Sequence, residues 1–174
     1  HMDRTLRTST VVVAAALVGC AADAELSVSD AGTPSQSAAL QLWTQGQPAF
    51  GIFVPDERPR EERVQDGERM PALYTVDGAR RLAANTLYDF LFLNLEGAYD
   101  LDAVRALVEG LATGETRKTL LVRIPPISAD GEEMAANRVS EILALGADGI
   151  VLPHVRTLEE ARTAIGFFEA AGAD

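Results

Sequence analysis

The sequence predicts an α/β fold in which helices cover a parallel sheet. Three observations predict it. Four short runs are almost continuously apolar: AFGIFV (Ala49–Val54), DFLFLNLE (Asp89–Glu96), TLLVRIP (Thr119–Pro125) and DGIVLPH (Asp148–His154). Each run is followed by a stretch with helical periodicity, and the repeat of about 30–40 residues suits βα units. Strands without in–out alternation belong to sheets buried on both faces, which are the parallel ones. Three of the four strands also end in a charged or titratable residue, Glu96, Arg123 and His154. In such folds chemistry gathers at the carboxyl ends of the strands.

The elements follow in order. Residues 37–45 form a short helix with Leu40 and Trp43 three apart, which either plugs the floor of a barrel or caps the first strand. After the first strand, Pro55–Pro71 is dense in charge and lacks apolar periodicity, so it reads as a loop: either a solvated excursion or a lid or docking loop. Helix one is expected over about Thr75–Asn85, with Ala79, Leu82 and Ala83 on one face. Helix two, Leu101–Leu111, carries Leu101, Val104, Leu107, Val108 and Leu111 as its stripe behind an Asp100 N-cap. Helix three spans about Glu132–Leu145, with Met134, Val139, Ile142, Leu143 and Leu145 apolar and Gly146 as its C-cap. Helix four starts at Thr157, where Glu160 completes a capping box, and runs to about Ala171.

Composition narrows the function. Apolar content of 47% and charged content of 24% are those of a globular domain. A net charge of −11 opposes any electrostatic grip on nucleic acid or anionic lipid. One cysteine excludes a disulfide framework and any multi-cysteine metal site. The N-terminal residues differ in kind. Arg4 and Arg7 precede a short apolar run that ends in Leu17-Val18-Gly19-Cys20. This is the form of a secretory signal, too short to span a bilayer. Residues 17–20 resemble a bacterial lipobox, which implies lipidation at Cys20 and an exported, membrane-anchored or periplasmic protein; plain secretion and a buried N-terminal helix are the alternatives. Residues 21–37, small and polar, read as a flexible linker, leaving 38–174 as the domain. His1 ahead of Met2 is either a tag scar or the mark of a translated fragment.

Four βα units are half of an eight-unit barrel, which needs roughly 250 residues. Half a barrel, a pair of copies and a small open-sheet protein are therefore all open. The missing Gly-rich phosphate loop weighs against an open-sheet nucleotide binder. An isolated half would expose a sheet edge on each side, which invites homo-oligomers.

Three stretches carry a resemblance: Tyr88–Glu96, Leu121-Val122-Arg123-Ile124-Pro125, and Leu143–Val155 with its LGADGIVLPHV run, continued by Thr157–Ala161. Over about Ala49–Ala171 the chain resembles the N-terminal half of the HpcH/HpaI aldolase and citrate lyase beta-subunit family. That resemblance implies a TIM-type (β/α)8 barrel, of which about four βα units are present, and a carbon–carbon lyase acting on 2-keto acids or related carboxylates. It implies an enolate stabilised by a divalent metal, Mg2+ or Mn2+, whose carboxylate ligands lie on later strands, so no residue of this chain is named as a ligand. Arg123 falls where the family's arginine grips the substrate; pairing with a neighbouring carboxylate is its other reading. Glu96 matches the family's acidic residue and either orients a metal-bound water, pairs with Arg123, or is a charge that satisfies a strand end. Pro153 and His154 fall at the substrate rim, where His154 is either an acid–base group or a loop residue.

Two departures from the family pattern stand at the second strand. Asn94 replaces an aspartate, and Gly97 stands where the aldolase branch has its base histidine. They favour a rival expectation, a non-catalytic, membrane-tethered binding or scaffold domain that keeps the barrel fold. Under the first expectation the chain is a fragment of a longer enzyme or a degenerate relative.

Overall fold

The structure is a computed structural model and describes residues 38–113 and 117–172. The expected signal segment, Cys20 and the linker lie outside these residues. In chain order the elements are α1 (Ala38–Thr44), β1 (Gly51–Phe53), a 3-10 turn (Arg60–Glu62), β2 (Val64–Gln65), β3 (Glu68–Arg69), α2 (Val76–Ala83), β4 (Phe90–Asn94), α3 (Leu101–Leu111), β5 (Thr119–Arg123), α4 (Ile127–Asp130), α5 (Glu132–Leu145), β6 (Gly149–Val151) and α6 (Leu158–Ala170). Strands β1, β4, β5 and β6 form one four-stranded sheet in chain order, and every neighbouring pair is parallel. The α/β class with a parallel sheet is thus present. The strands are shorter than the apolar runs, because residues such as Leu95 and Ile124 are buried beyond the last ladder pair.

The pairing register sorts the side chains onto two faces. Ile52, Leu91 and Leu120 share one row, and Leu93, Val122 and Ile150 fall on the same face. Of these, Leu91, Leu93 and Val122 are wholly buried. Consecutive helices α2, α3, α5 and α6 pack side by side over this face, as expected when neighbouring strands are joined by crossovers of one hand. Each such leucine contributes roughly 1.5–3 kcal/mol by leaving water. Gly110 in α3 allows the closest approach between helices, since a Cβ there would meet the Ala79 Cβ of α2 at 2.3 Å.

The opposite face is open at its β1 end, whereas Thr119, Leu121 and Gly149 on it are buried. It carries Phe53, Phe92, Leu121 and Gly149 in one row, with Asn94, Arg123 and Val151 beyond it at the carboxyl end. Phe53 is 63% exposed and stacks at a tilt on Phe92, 4.7 Å between ring centroids. At the amino end of this face sits α1. Its Ala39 N–H donates to Thr119 Oγ1 at 3.0 Å, its Ala38 N–H to the Arg117 carbonyl at 3.1 Å, and Trp43 lies 6.2 Å from the Phe90 ring. The short helix therefore closes the floor of the open face under β4 and β5, rather than capping β1.

Helix boundaries agree with the sequence to within about two residues. Asp100 caps α3 by accepting from the Asp102 and Ala103 N–H groups, Gly146 ends α5 in the left-handed region at φ 102°, and both bonds of the Thr157–Glu160 capping box are made. Along α5 the buried residues are Ala135, Val139 and Ile142, and Met134 is exposed. The segment 55–71, expected as a loop, also holds the 3-10 turn and the hairpin β2–β3. Asp66 and Gly67, at φ 54° and 81°, turn the hairpin β2–β3, as two-residue hairpin turns require. Two-residue strands are too short to display alternation in the sequence. Asp56 accepts from the Arg58 and Leu73 N–H groups, and Glu57 accepts from the Thr75 N–H, the Thr75 hydroxyl and Arg81. These bonds fasten the base of the excursion to the start of α2.

Candidate functional site

The carboxyl end of the sheet brings Glu96, Arg123 and His154 together. Arg123 is the last residue of β5 and lies on the open face. The parallel ladder extends one bond past Asn94, with the Leu95 N–H donating to the Arg123 carbonyl at 2.8 Å. Asn94 Oδ1 then accepts from the Glu96 N–H at 3.2 Å. This side-chain turn, typical of Asn and Asp, bends the chain at the strand end. It carries Glu96 back over Arg123.

Glu96 Oε2 lies 2.6 Å from Arg123 Nη2, and its Oε1 lies 2.8 Å from His154 Nε2. One carboxylate thus joins groups from the ends of β5 and β6. The Arg123 and Glu96 side chains are each 25% exposed and His154 is 52% exposed. The sequence left the role of Glu96 open; the pairing with Arg123 is the contact present. A guanidinium carries five N–H donors, so one bond to Glu96 leaves donors for a second carboxylate. His154 sits at φ 59°, in the left-handed region. It follows the buried Pro153 and lines a small pocket with Ile127, Ser128 and Glu160. Glu160 is held in place there, its Oε2 accepting from the Arg156 and Thr157 N–H groups.

The amino end of the sheet is arranged differently. Lys118 is buried, its Nζ donating to the Tyr88 carbonyl at 2.6 Å and lying over the Tyr88 ring. Burial lowers its pKa, with Asp89 opposing. Asp148 accepts from the Leu120 N–H and pairs with Arg117 at 3.1 Å. Burial nevertheless lifts its carboxyl above the ordinary range, outweighing that hydrogen bond and the Arg117 charge. These charges are spent on structure, whereas those at the carboxyl end stay within reach of solvent.

The resemblance places the carboxylate ligands of its divalent metal on later strands, not on the described residues. Among them, no group of three His, Cys, Asp or Glu side chains converges on a point, and both oxygens of Glu96 are already engaged. Also among them, no helix is long and apolar enough to cross a membrane.

The sequence pointed to each of the three site residues but not to the contact between Glu96 and His154, which lie 58 positions apart. It also passed over α4, whose Ile127 and Ser128 line the pocket. The Pro125-Pro126 pair ahead of it and Gly131 behind it were the available signals. Comparison with protein-family models, with curated proteins and with solved structures finds no match to this chain.

Proposed function

We propose that the described domain is the substrate-gripping part of a TIM-type barrel lyase that makes or breaks carbon–carbon bonds in 2-keto acids or related carboxylates. The observation that carries this reading is the convergence of Arg123, Glu96 and His154 at the carboxyl ends of neighbouring parallel strands, above an open apolar sheet face. In this reading the Arg123 fork takes the substrate carboxylate. Glu96 holds the fork in place. Cleavage beside a keto group leaves an enolate, and in this reading the arginine charge stabilises it. The exposed β1 end of this face and the edge strands β1 and β6 are the surfaces that further βα units of a barrel, or a second copy of this chain, would cover. Tethering through a lipidated Cys20 belongs to the same reading; incorporation of labelled fatty acid that is lost in Cys20→Ser would support it.

The test is a pyruvate titration of the full chain followed by amide and side-chain NMR shifts. Saturable shifts at Arg123, Glu96 and His154 are expected. Their absence would reject the reading.

A second reading is favoured by Gly97, which has no side chain, and by Asn94, whose amide oxygen is occupied in the turn. Here the domain binds a carboxylate ligand, or serves as a scaffold, and turns nothing over. Binding without any change in the ligand separates the two readings.

A further inference from the structure

We infer that His154 is the proton-transfer group of this site and that Glu96 is its positioning residue. The inference rests on the 2-keto acid reading above and adds a role to it.

An ionised carboxylate only accepts hydrogen bonds. With Glu96 Oε1 at 2.8 Å from Nε2, the neutral imidazole must carry its proton on Nε2. Its Nδ1 is then the basic atom, and among the described residues Nδ1 makes no hydrogen bond. Glu96 cannot swing away without giving up Arg123 on its other oxygen. The ring is therefore oriented by a carboxylate that is itself clamped from the next strand, the arrangement by which a third group sets a catalytic base.

The backbone supports the same assignment. Residues with a side chain seldom adopt positive φ, and such conformations collect at functional sites. At His154 this conformation sits directly after a buried proline at the strand end. The side chain is half exposed, so a ligand can reach it from solvent. The charged groups around it are Glu96 from the end of β4, Arg123 behind Glu96 on β5, Glu160 from α6 and Arg156 in its own loop. Glu160 is occupied by its cap bonds.

The step is a simple one. With the keto acid's carboxylate on Arg123, His154 Nδ1 takes a proton from the carbon beside the keto group. The C–H electron pair becomes the C=C bond of the enolate, and the carbonyl π pair moves onto oxygen. Return of the proton to the same carbon reverses the step. Nothing is oxidised or reduced, and no co-reactant is consumed.

The experiment uses the full chain with pyruvate in D2O and follows loss of the methyl proton signal by NMR. The variant is His154→Asn, since asparagine also tolerates the left-handed backbone. Wild type is expected to exchange the methyl protons. His154→Asn should lose about 100-fold of the rate, the usual scale of acid–base assistance, while its pyruvate Kd changes less than about threefold. Equal exchange in both proteins would overturn the role of His154 and leave the keto acid reading standing. Absence of any pyruvate binding would remove both.

A second readout does not depend on the ligand. The 15N shifts of His154 should report the Nε2–H tautomer in wild type and a mixture in Glu96→Gln. An Nδ1–H tautomer in wild type, or an unchanged Nε2–H tautomer in the variant, would overturn the positioning role of Glu96.

Discussion

Glu96 and Arg123 meet 2.6 Å apart across the carboxyl ends of two adjacent parallel strands. The contact follows from backbone geometry. The ladder bond from the Leu95 N–H to the Arg123 carbonyl sets the register, and the Asn94 turn sends the next side chain back over β5. Asn94 thus has a definite local task here.

Arg123→Lys keeps the charge but loses the planar fork. Pyruvate affinity is expected to fall at least tenfold, about 1.4 kcal/mol, with the helical circular dichroism signal unchanged. Unaltered affinity would place the carboxylate grip elsewhere.

Asp56 gives a pH signature. Burial pushes its carboxyl up, but the hydrogen bonds from Leu73 and Arg58, with the charges of Arg63 and Arg58, outweigh this and hold its pKa below the ordinary 3.8. A depressed carboxylate stabilises the fold above its unfolded pKa, and the contribution is lost as pH falls through the folded value. Asp56→Asn should cost roughly 2 kcal/mol at pH 7, the scale of bonds to a charged group. The gap between the urea midpoints of wild type and variant should narrow as pH falls below about 4. A gap that stays constant down to pH 2 would contradict the assignment.

Thr157→Ala removes the hydroxyl that accepts from the Glu160 N–H. The expected loss is about 1 kcal/mol in urea unfolding. Because Glu160 lines the pocket beside His154, the same variant should also broaden the His154 ring signals.

The two sheet faces should respond in opposite ways. Leu93→Ala, on the helix-covered face, is expected to cost about 2–5 kcal/mol. Phe53→Ser, on the open face at the edge strand, should change stability by no more than about 0.5 kcal/mol while reducing self-association. Light scattering reads the second effect, and equal oligomer content in wild type and variant would count against association through this face.

Much of the fold was legible because its signals are local. Asp100, Gly146 and the Thr157–Glu160 pair act within a turn of their own position, so spacing alone reveals them. The hairpin at Asp66-Gly67 was missed because its strands are two residues each. The site was legible only in part. Strand ends nominated Glu96, Arg123 and His154, but a contact between the ends of β4 and β6 depends on how far each loop reaches, which no local pattern encodes.

The position of β5 has a consequence for motion. Like β4, it has a neighbouring strand on each side, and its residues from Thr119 to Val122 are buried. Its amides should therefore exchange with deuterated solvent only when the whole sheet opens, whereas those of β1 and the β2–β3 hairpin exchange through local fluctuations. Arg123 is thus anchored on an interior strand and His154 in a loop beyond the shorter edge strand β6. On this expectation the exchange rates around Arg123 and around His154 should differ, with Glu96 bonded to both side chains.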